Sequence, residues 1–219
     1  ADAFFDNALD HARDLFAAGV PIVGVCASGI LIRAVAPLLS DKTQEPPVVS
    51  VADDGSVVVP LLGGHRGANR LARSIAEALD STAAVTTAGD VSLGVSLDEP
   101  PEGWALANPQ HAKGAMAALL SGGGAALSGA EAAQATWIGD MPAGDTVKLS
   151  CDMMWQSDLG PNHLHFAPKR VTIGVGCARN CPPQELADLV HTALNEVGVC
   201  DAAVHSINTI SLKADEPAM

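Results

Sequence analysis

Residues 46 to 79 read PPVVSVADDGSVVVPLLGGHRGANRLARSIAEAL. Two valine runs, 48–51 and 57–59, flank Asp53, Asp54, Gly55 and Ser56, and Asp-Gly between apolar residues marks a hairpin. The second run ends on Gly63 and Gly64, and the residues from about Gly67 to Leu79 read as a helix. A paired strand that turns through glycine into a helix is an α/β unit.

Upstream, AFFDNALDHARDLFAA (3–18) places Phe4, Phe5, Leu9, Ala12, Leu15 and Phe16 at near-helical spacing, and Gly19 and Pro21 stop it. PIVGVC (21–26) has the unbroken apolar character of a central parallel strand, and ASG leads into a helix, ILIRAVAPLL (30–39). Downstream, AAVTT (83–87) is a further strand. Strands alternating with helices predict a Rossmann-like three-layer N-terminal α/β domain over residues 1–92.

After Gly89 the pattern dissolves into SLDEPPEG, which opens a middle region, residues 93–168. There PQHAKGAMAALLS (109–121) predicts a helix, GAALSG, QATWIG and TVKLSC suggest short strands, and MMWQSDLGPNHLHF gives only a weak signal. KRVTIGVGCARNCPPQELADLVHTALNEVG restores the order of strand, turn and helix, with Pro182 and Pro183 at the helix start and Gly198 at its end. With AVHSINTISLK as the next strand, residues 169–219 form a second, smaller C-terminal α/β domain.

Of the 219 residues 48% are apolar but only 3% aromatic, so the core is built from Ala, Val, Leu and Ile. A net charge of -13 repels phosphate backbones and argues against nucleic acid as a partner. Bases concentrate locally: Arg33, Lys42, Arg66, Arg70 and Arg73 accompany His65, whereas Ser92 to His165 holds only Lys113 and Lys148 against eight carboxylates. A site for an anionic small molecule fits that distribution. No stretch approaches the roughly 20 apolar residues of a membrane span, and no charged-then-apolar leader opens the chain. Five scattered cysteines, Cys26, Cys151, Cys177, Cys181 and Cys200, suit a reduced compartment, so a soluble cytoplasmic protein is expected.

LLGGHRGAN can set backbone N–H groups and a helix start around His65, whose titration range suits acid-base work; a plain glycine turn with an exposed imidazole is the competing reading. CASG followed by Arg33 repeats the arrangement, without the G-x-S-x-G of a serine hydrolase, so Ser28 reads as a ligand-binding hydroxyl or a helix cap. Cys177 and Cys181, with His163 and His165 upstream, raise a metal site, a helix-start thiol of lowered pKa, or plain buried cysteines. TTAGD (86–90) ends a strand with two hydroxyls and a carboxylate, and LKADEP (212–217) sets Lys213 three residues before Glu216; both also read as loop caps. GVGCAR is half a dinucleotide fingerprint at most.

In order, VCASGILIRAVAPLLSDK, PPVVSVADDGSVVVPLLGGHRGANRLARSIAEAL and AVTTAGD resemble the N-terminal domain of the CbiG family, the cobalt-precorrin-5A hydrolases of cobalamin biosynthesis. VTIGVGCARNCPPQELADLVHTALNEVG with ISLKADEPAM is similar to that family's C-terminal domain. The resemblance implies opening of a δ-lactone on a corrinoid, with release of acetaldehyde. It also implies that both domains are incomplete, with an α/β segment expected before PIVGVC and a helix and strand after ADEPAM. Exposed apolar strand edges left that way would favour pairing into a homodimer.

On this reading His65 is the catalytic base or acid, and Gly63, Gly64 and Asn69 shape an anion site. Ser28, Gly29, Arg33 and Lys42 hold substrate carboxylates, Thr87 and Asp90 add substrate contacts, and Cys177, Arg179, Lys213 and Glu216 come from the second domain, so that three glycine turns face one ligand. No metal site and no cofactor are expected, and whether the substrate carries cobalt stays open. The alternative is a non-catalytic corrinoid-binding module, associated with or fused to precorrin-3B C17-methyltransferase.

Overall fold

The computed structural model describes residues 4–42, 44–139, 141–157 and 159–218, and gives His65 in its backbone alone. The chain divides into two compact units, Ala1–Val91 and Ser92–Met219.

The first unit holds α1 (Ala8–Ala17), β1 (Ile22–Val25), α2 (Ser28–Val35), β2 (Val48–Val51), β3 (Val57–Leu62), α3 (Ala68–Ala78), β4 (Thr82–Ala83) and the start of α4 (Ala88–Ser92). Asn7 caps α1, its Oδ1 accepting from the N–H groups of Leu9 and Asp10 at 2.9 and 3.3 Å. The sheet order is β1-β2-β3-β4. Because strand side chains alternate, β2 serves two cores. Val48 packs with Ile22, Leu31, Ala34, Val35, Ala12 and Phe16 under α1 and α2. Val49, Val51 and Val58 pack with Ala72 and Ala76 of α3 on the other face. The three layers expected from the sequence are therefore present. The strand expected over 83–87 shrinks to two residues, since Val85 N turns back onto Ala83 O at 3.0 Å.

Strand direction decides where the turns lie. β1 and β2 are parallel, the hairpin makes β2 and β3 antiparallel, and β4 follows β3. Val25 shares a row with Val51 and Val58, whereas Leu62 pairs with Val48 in the row of Ile22. The turns after β1 and after β3 thus leave opposite ends of the sheet.

The second unit holds β5 (Trp104–Leu106), α5 (Ala112–Leu120), β6 (Ala125–Ser128), β7 (Val147–Cys151), β8 (His163–Pro168), β9 (Val171–Gly174), α6 (Pro183–Glu196) and β10 (Val204–Asn208). Its main sheet runs β5-β8-β7-β6, with β6, β7 and β8 parallel and β5 antiparallel to β8; β9 and β10 form a separate parallel pair. Leu149, Cys151, Leu164 and Phe166 face a core with Ala115, Leu119 and Ile138. QATWIG is not a strand but two single turns, Ala132–Gln134 and Thr136–Ile138, which tuck Ala135 and Ile138 into that core and set Trp137 edge-on to Phe166 at 5.1 Å. Ala167, on the opposite face, packs with Cys200 and Ala203. Residues 153–155 pair with the chain after α6, through Cys200 N to Met153 O and Trp155 N to Gly198 O, both 2.8 Å. Among the described residues no helix is long and apolar enough to cross a membrane.

Candidate functional site

The chain leaves β3 through Gly63, at φ 73°, where an added Cβ would stand 2.5 Å from Pro46 O. Only glycine fits a left-handed backbone pressed so closely on its neighbour. A Cβ on Gly64, by contrast, would meet nothing within 4 Å, so the turn is open on that side. Arg66 Nη1 donates to Gln44 O at 2.8 Å, tying the turn to the loop that carries exposed Lys42. The side chain of His65 lies outside the described residues.

After Gly67, α3 buries Ala68, Asn69, Ala72 and Ala76, small residues that let the helix sit close to the sheet. Asn69 meets α4 there. Its Nδ2 donates to Thr87 Oγ1 and to Asp90 Oδ2, each at 3.0 Å, and Thr87 Oγ1 also donates to Asp90 Oδ2. Arg73 Nη2 donates to Asp90 Oδ1 at 2.5 Å. The Asp90 side chain is 2% exposed, and a buried carboxylate is tolerable only with such a set of donors. Of the residues selected from sequence, Gly63, Gly64, Asn69, Thr87 and Asp90 come together at this corner. Arg73 joins as the partner of Asp90; its spacing of four from Asn69 on a helix was the available signal.

Ser28 and Gly29 lie elsewhere. They open α2 after β1, at the opposite end of the sheet from Gly63, and Arg33 Nη1 donates back to Gly29 O at 3.1 Å. The expectation that the turns after β1 and β3 face one ligand is therefore corrected, because β3 runs against β1. The expected cluster of carboxylate-binding cations is partly committed as well: Arg73 to Asp90, Arg66 to Gln44 O and Arg33 to Gly29 O.

In the second unit Cys177, Arg179, Lys213 and Glu216 gather around the turn after β9. Glu216 Oε1 accepts from Asn180 N at 2.7 Å, where Asn180 takes φ 59°. Glu216 Oε2 stands 3.6 Å from Arg179 Nη1 and 3.9 Å from Lys213 Nζ, and Arg179 also reaches Asp215 Oδ1 at 2.8 Å and Leu212 O at 2.9 Å. The Glu216 side chain is 2% exposed, so it anchors the turn from beneath. The Cys181 thiol is pushed up, first by desolvation and then by Glu185, Cys177 and Glu216. This goes against the lowered-thiol alternative for Cys181: desolvation first, and the neighbouring carboxylates after it, outweigh any benefit of the helix start.

His163 and His165, raised above as metal ligands, belong to a different arrangement. Both sit beside Ser150 Oγ, each with a ring nitrogen at 2.9 Å, on a face of β7 and β8 that is buried at Ser150 and His165. Asn108 joins them, donating to His163 O at 2.7 Å and accepting from His165 N at 2.9 Å. Among the described residues no group of three or more His, Cys, Asp or Glu could hold a metal ion.

Helices on both faces of a mixed sheet, and a glycine corner over a buried carboxylate, define an α/β protein with a candidate small-molecule site in its first unit. Residues 10–90 match the family model described as cobalamin synthesis G N-terminal, and residues 171–219 match cobalamin synthesis G C-terminus. The chain belongs to this cobalamin synthesis G family, CbiG.

A cobalt-precorrin-5A hydrolase of Salmonella typhimurium is 30% identical over 95% of this chain and 64% of its own length. A second, of Priestia megaterium, is 26% identical over 94% of this chain and 61% of its own length. The chain thus spans less than two thirds of these relatives. A crystal structure described as that of a cobalamin biosynthesis protein G homologue from Sulfolobus solfataricus covers 94% of this chain and 70% of its own, at 20% identity and a TM-score of 0.39. The Asn69–Asp90 corner falls within the first matched domain, whereas the Ser150 row lies outside both.

Proposed function

We propose that this chain acts in corrin-ring biosynthesis as a cytoplasmic cobalt-precorrin-5A hydrolase-like protein, opening a ring lactone and releasing acetaldehyde. The observation that carries this reading is the likeness of nearly the whole chain, 94% and 95%, to two proteins named cobalt-precorrin-5A hydrolase. The corner in the first unit suits such a reaction. The turn is open at Gly64, where an added Cβ would meet nothing within 4 Å. The first turn of α3 follows this corner, and N–H groups at a helix start favour a developing oxyanion.

Hydrolysis of the lactone adds water to the ester carbonyl: a base takes one water proton, the tetrahedral oxyanion collapses, and the ring oxygen departs and is protonated. The freed hydroxyl then loses its proton to a base, its carbon–carbon bond to the macrocycle breaks to give acetaldehyde, and the electron pair left on the macrocycle takes up a proton. His65 is assigned the proton transfers, from its sequence position between Gly64 and Gly67. Exposed Lys42 beside the turn suits a substrate carboxylate. The step needs water and no resident cofactor; the cobalt in the relatives' name belongs to the substrate. The cavity of about 320 Å³ between α6 and β10 is a poorer match, since Leu186, Val190, Leu194, Val204 and Ile207 make it apolar and corrinoid intermediates are rich in carboxylates.

The test is to incubate the purified chain with cobalt-precorrin-5A and assay acetaldehyde. Turnover that disappears in His65→Ala supports the reading. Corrinoid binding without acetaldehyde, from a folded preparation, would replace it with a binding module serving another catalytic domain.

A further inference from the structure

Hydrogen-bond arithmetic fixes which way the Asn69 amide faces. Asp90 pairs with Arg73 through Oδ1 at 2.5 Å, and as a carboxylate its Oδ2 accepts; the Asn69 atom 3.0 Å away is therefore the nitrogen. The Thr87 hydroxyl gives its one proton to Asp90 Oδ2, so its oxygen can only accept the second amide proton, at 3.0 Å. Both Asn69 protons are thereby used. What remains is Oδ1, to which no described residue donates. Asn69 itself is 6% exposed and sits in the first turn of α3, directly after the open glycine corner.

An amide with no donor to spare cannot anchor a carboxylate or stabilise an oxyanion, which revises the role expected from sequence. We propose that Asn69 Oδ1 is a fixed acceptor that holds the attacking water of the lactone hydrolysis, and that Asp90 and Thr87 are positioning residues that lock the amide in this sense. Water has two protons: one passes to the base, the other is held by Oδ1, and the lone pair is then aimed at the carbonyl carbon. Asp90 never touches substrate in this scheme. The proposal rests on the hydrolase reading, and it adds the polarity of one side chain.

The orientation is read without turnover. In 15N-labelled protein the Asn69 side-chain NH2 signals should exchange slowly with solvent, and Asp90→Asn should make them exchange fast. Fast exchange in the wild type overturns the proposal. In the acetaldehyde assay Asn69→Ala should lower kcat about 100-fold with KM little changed, the usual scale for loss of positioning. A merely structural role would instead move KM and thermal stability together.

The pair Asn69→Asp with Asp90→Asn reverses donor and acceptor between the two positions yet keeps an oxygen at position 69 free to accept. It should recover kcat to within about tenfold of wild type. A folded double variant no better than Asn69→Ala sinks the proposal. If the amide is protected but wild type releases no acetaldehyde, the hydrolase reading falls and the water with it; if acetaldehyde is released and the amide exchanges freely, only the water-holding role falls.

Discussion

Ser150 Oγ lies 2.9 Å from His165 Nδ1, with both residues fully buried on the face of the second unit's sheet opposite its main core. His163 Nε2 reaches the same hydroxyl at 2.9 Å, and His165 Nε2 has no partner among the described residues. Residues 153–155, which follow β7, are in turn paired with the chain leaving α6. A polar row thus lies where the middle of the chain meets its C-terminal segment within this unit.

Acid should loosen this row. Burial lowers the His165 pKa below 6.5, with His163 adding to the effect and Asp152 opposing it; burial, Lys148 and His111 lower that of His163. Well above pH 6.5 both states are neutral at these rings, and the pair has no effect on the pH dependence. As pH falls below that value the unfolded chain binds protons the folded one refuses, so stability drops until the lowered folded values are reached. Urea midpoints between about pH 8 and 5 should fall on the acid side. His165→Phe should reduce the slope by about one proton, and an unchanged slope would show the row to be silent.

Asp90→Ala should destabilise the first unit by about 2 kcal/mol, because it strands one buried Asn69 donor and the Thr87 hydroxyl. Arg73, at 47% side-chain exposure, can turn to water and adds little. Denaturant unfolding of the full chain measures this, and a loss below about 0.5 kcal/mol would mean the corner is not held by Asp90.

Gly63 and Gly64 should behave differently. Alanine at 63 meets both a φ of 73° and Pro46 O at 2.5 Å, and should cost about 2 kcal/mol or more. Alanine at 64 has open space and should stay within about 0.5 kcal/mol. A larger residue at 64, such as Gly64→Leu, should leave the melting temperature nearly unchanged while lowering corrinoid binding; equal binding would move the ligand away from this corner.

Thiol labelling should sort the cysteines. Cys151, buried beside Glu131 and Asp152, is pushed up to about 12, and Cys181 is also raised. Alkylation of Cys181 should be slow at neutral pH and gain rate only above pH 9, its ordinary value. Glu216→Gln removes one of the carboxylates that raise it and should shift that profile down. A Cys181 that reacts fast at pH 7 would contradict the geometry of the turn.

Local signals were read where a few neighbouring residues settle the outcome. The Asp54-Gly55 hairpin, the stop of α1 at Gly19, and the start of α6 at Pro182 and Pro183 need no distant partner, and the family resemblance rested on the same stretches. β8 gives little signal because the side chains it buries include histidine, on the face opposite the main core, where Ser150 and Asn108 bond the residue. QATWIG reads as a short strand only in isolation; the core beside it favours two turns that bury Ala135 and Ile138.

By itself, then, the sequence determined the family, the three-layer first unit and the glycine corner, since turn chemistry and apolar period are properties of adjacent residues. Only the tertiary structure decided which candidates share a place. Ser28 and Gly63 follow equivalent strand-to-helix turns, yet the parallel pairing of β1 with β2 and the reversal in the hairpin send them to opposite ends of one sheet. Asn69, Thr87 and Asp90, spread over 22 positions, meet because α3 and α4 pack together, and that packing gives the Asn69 amide its direction.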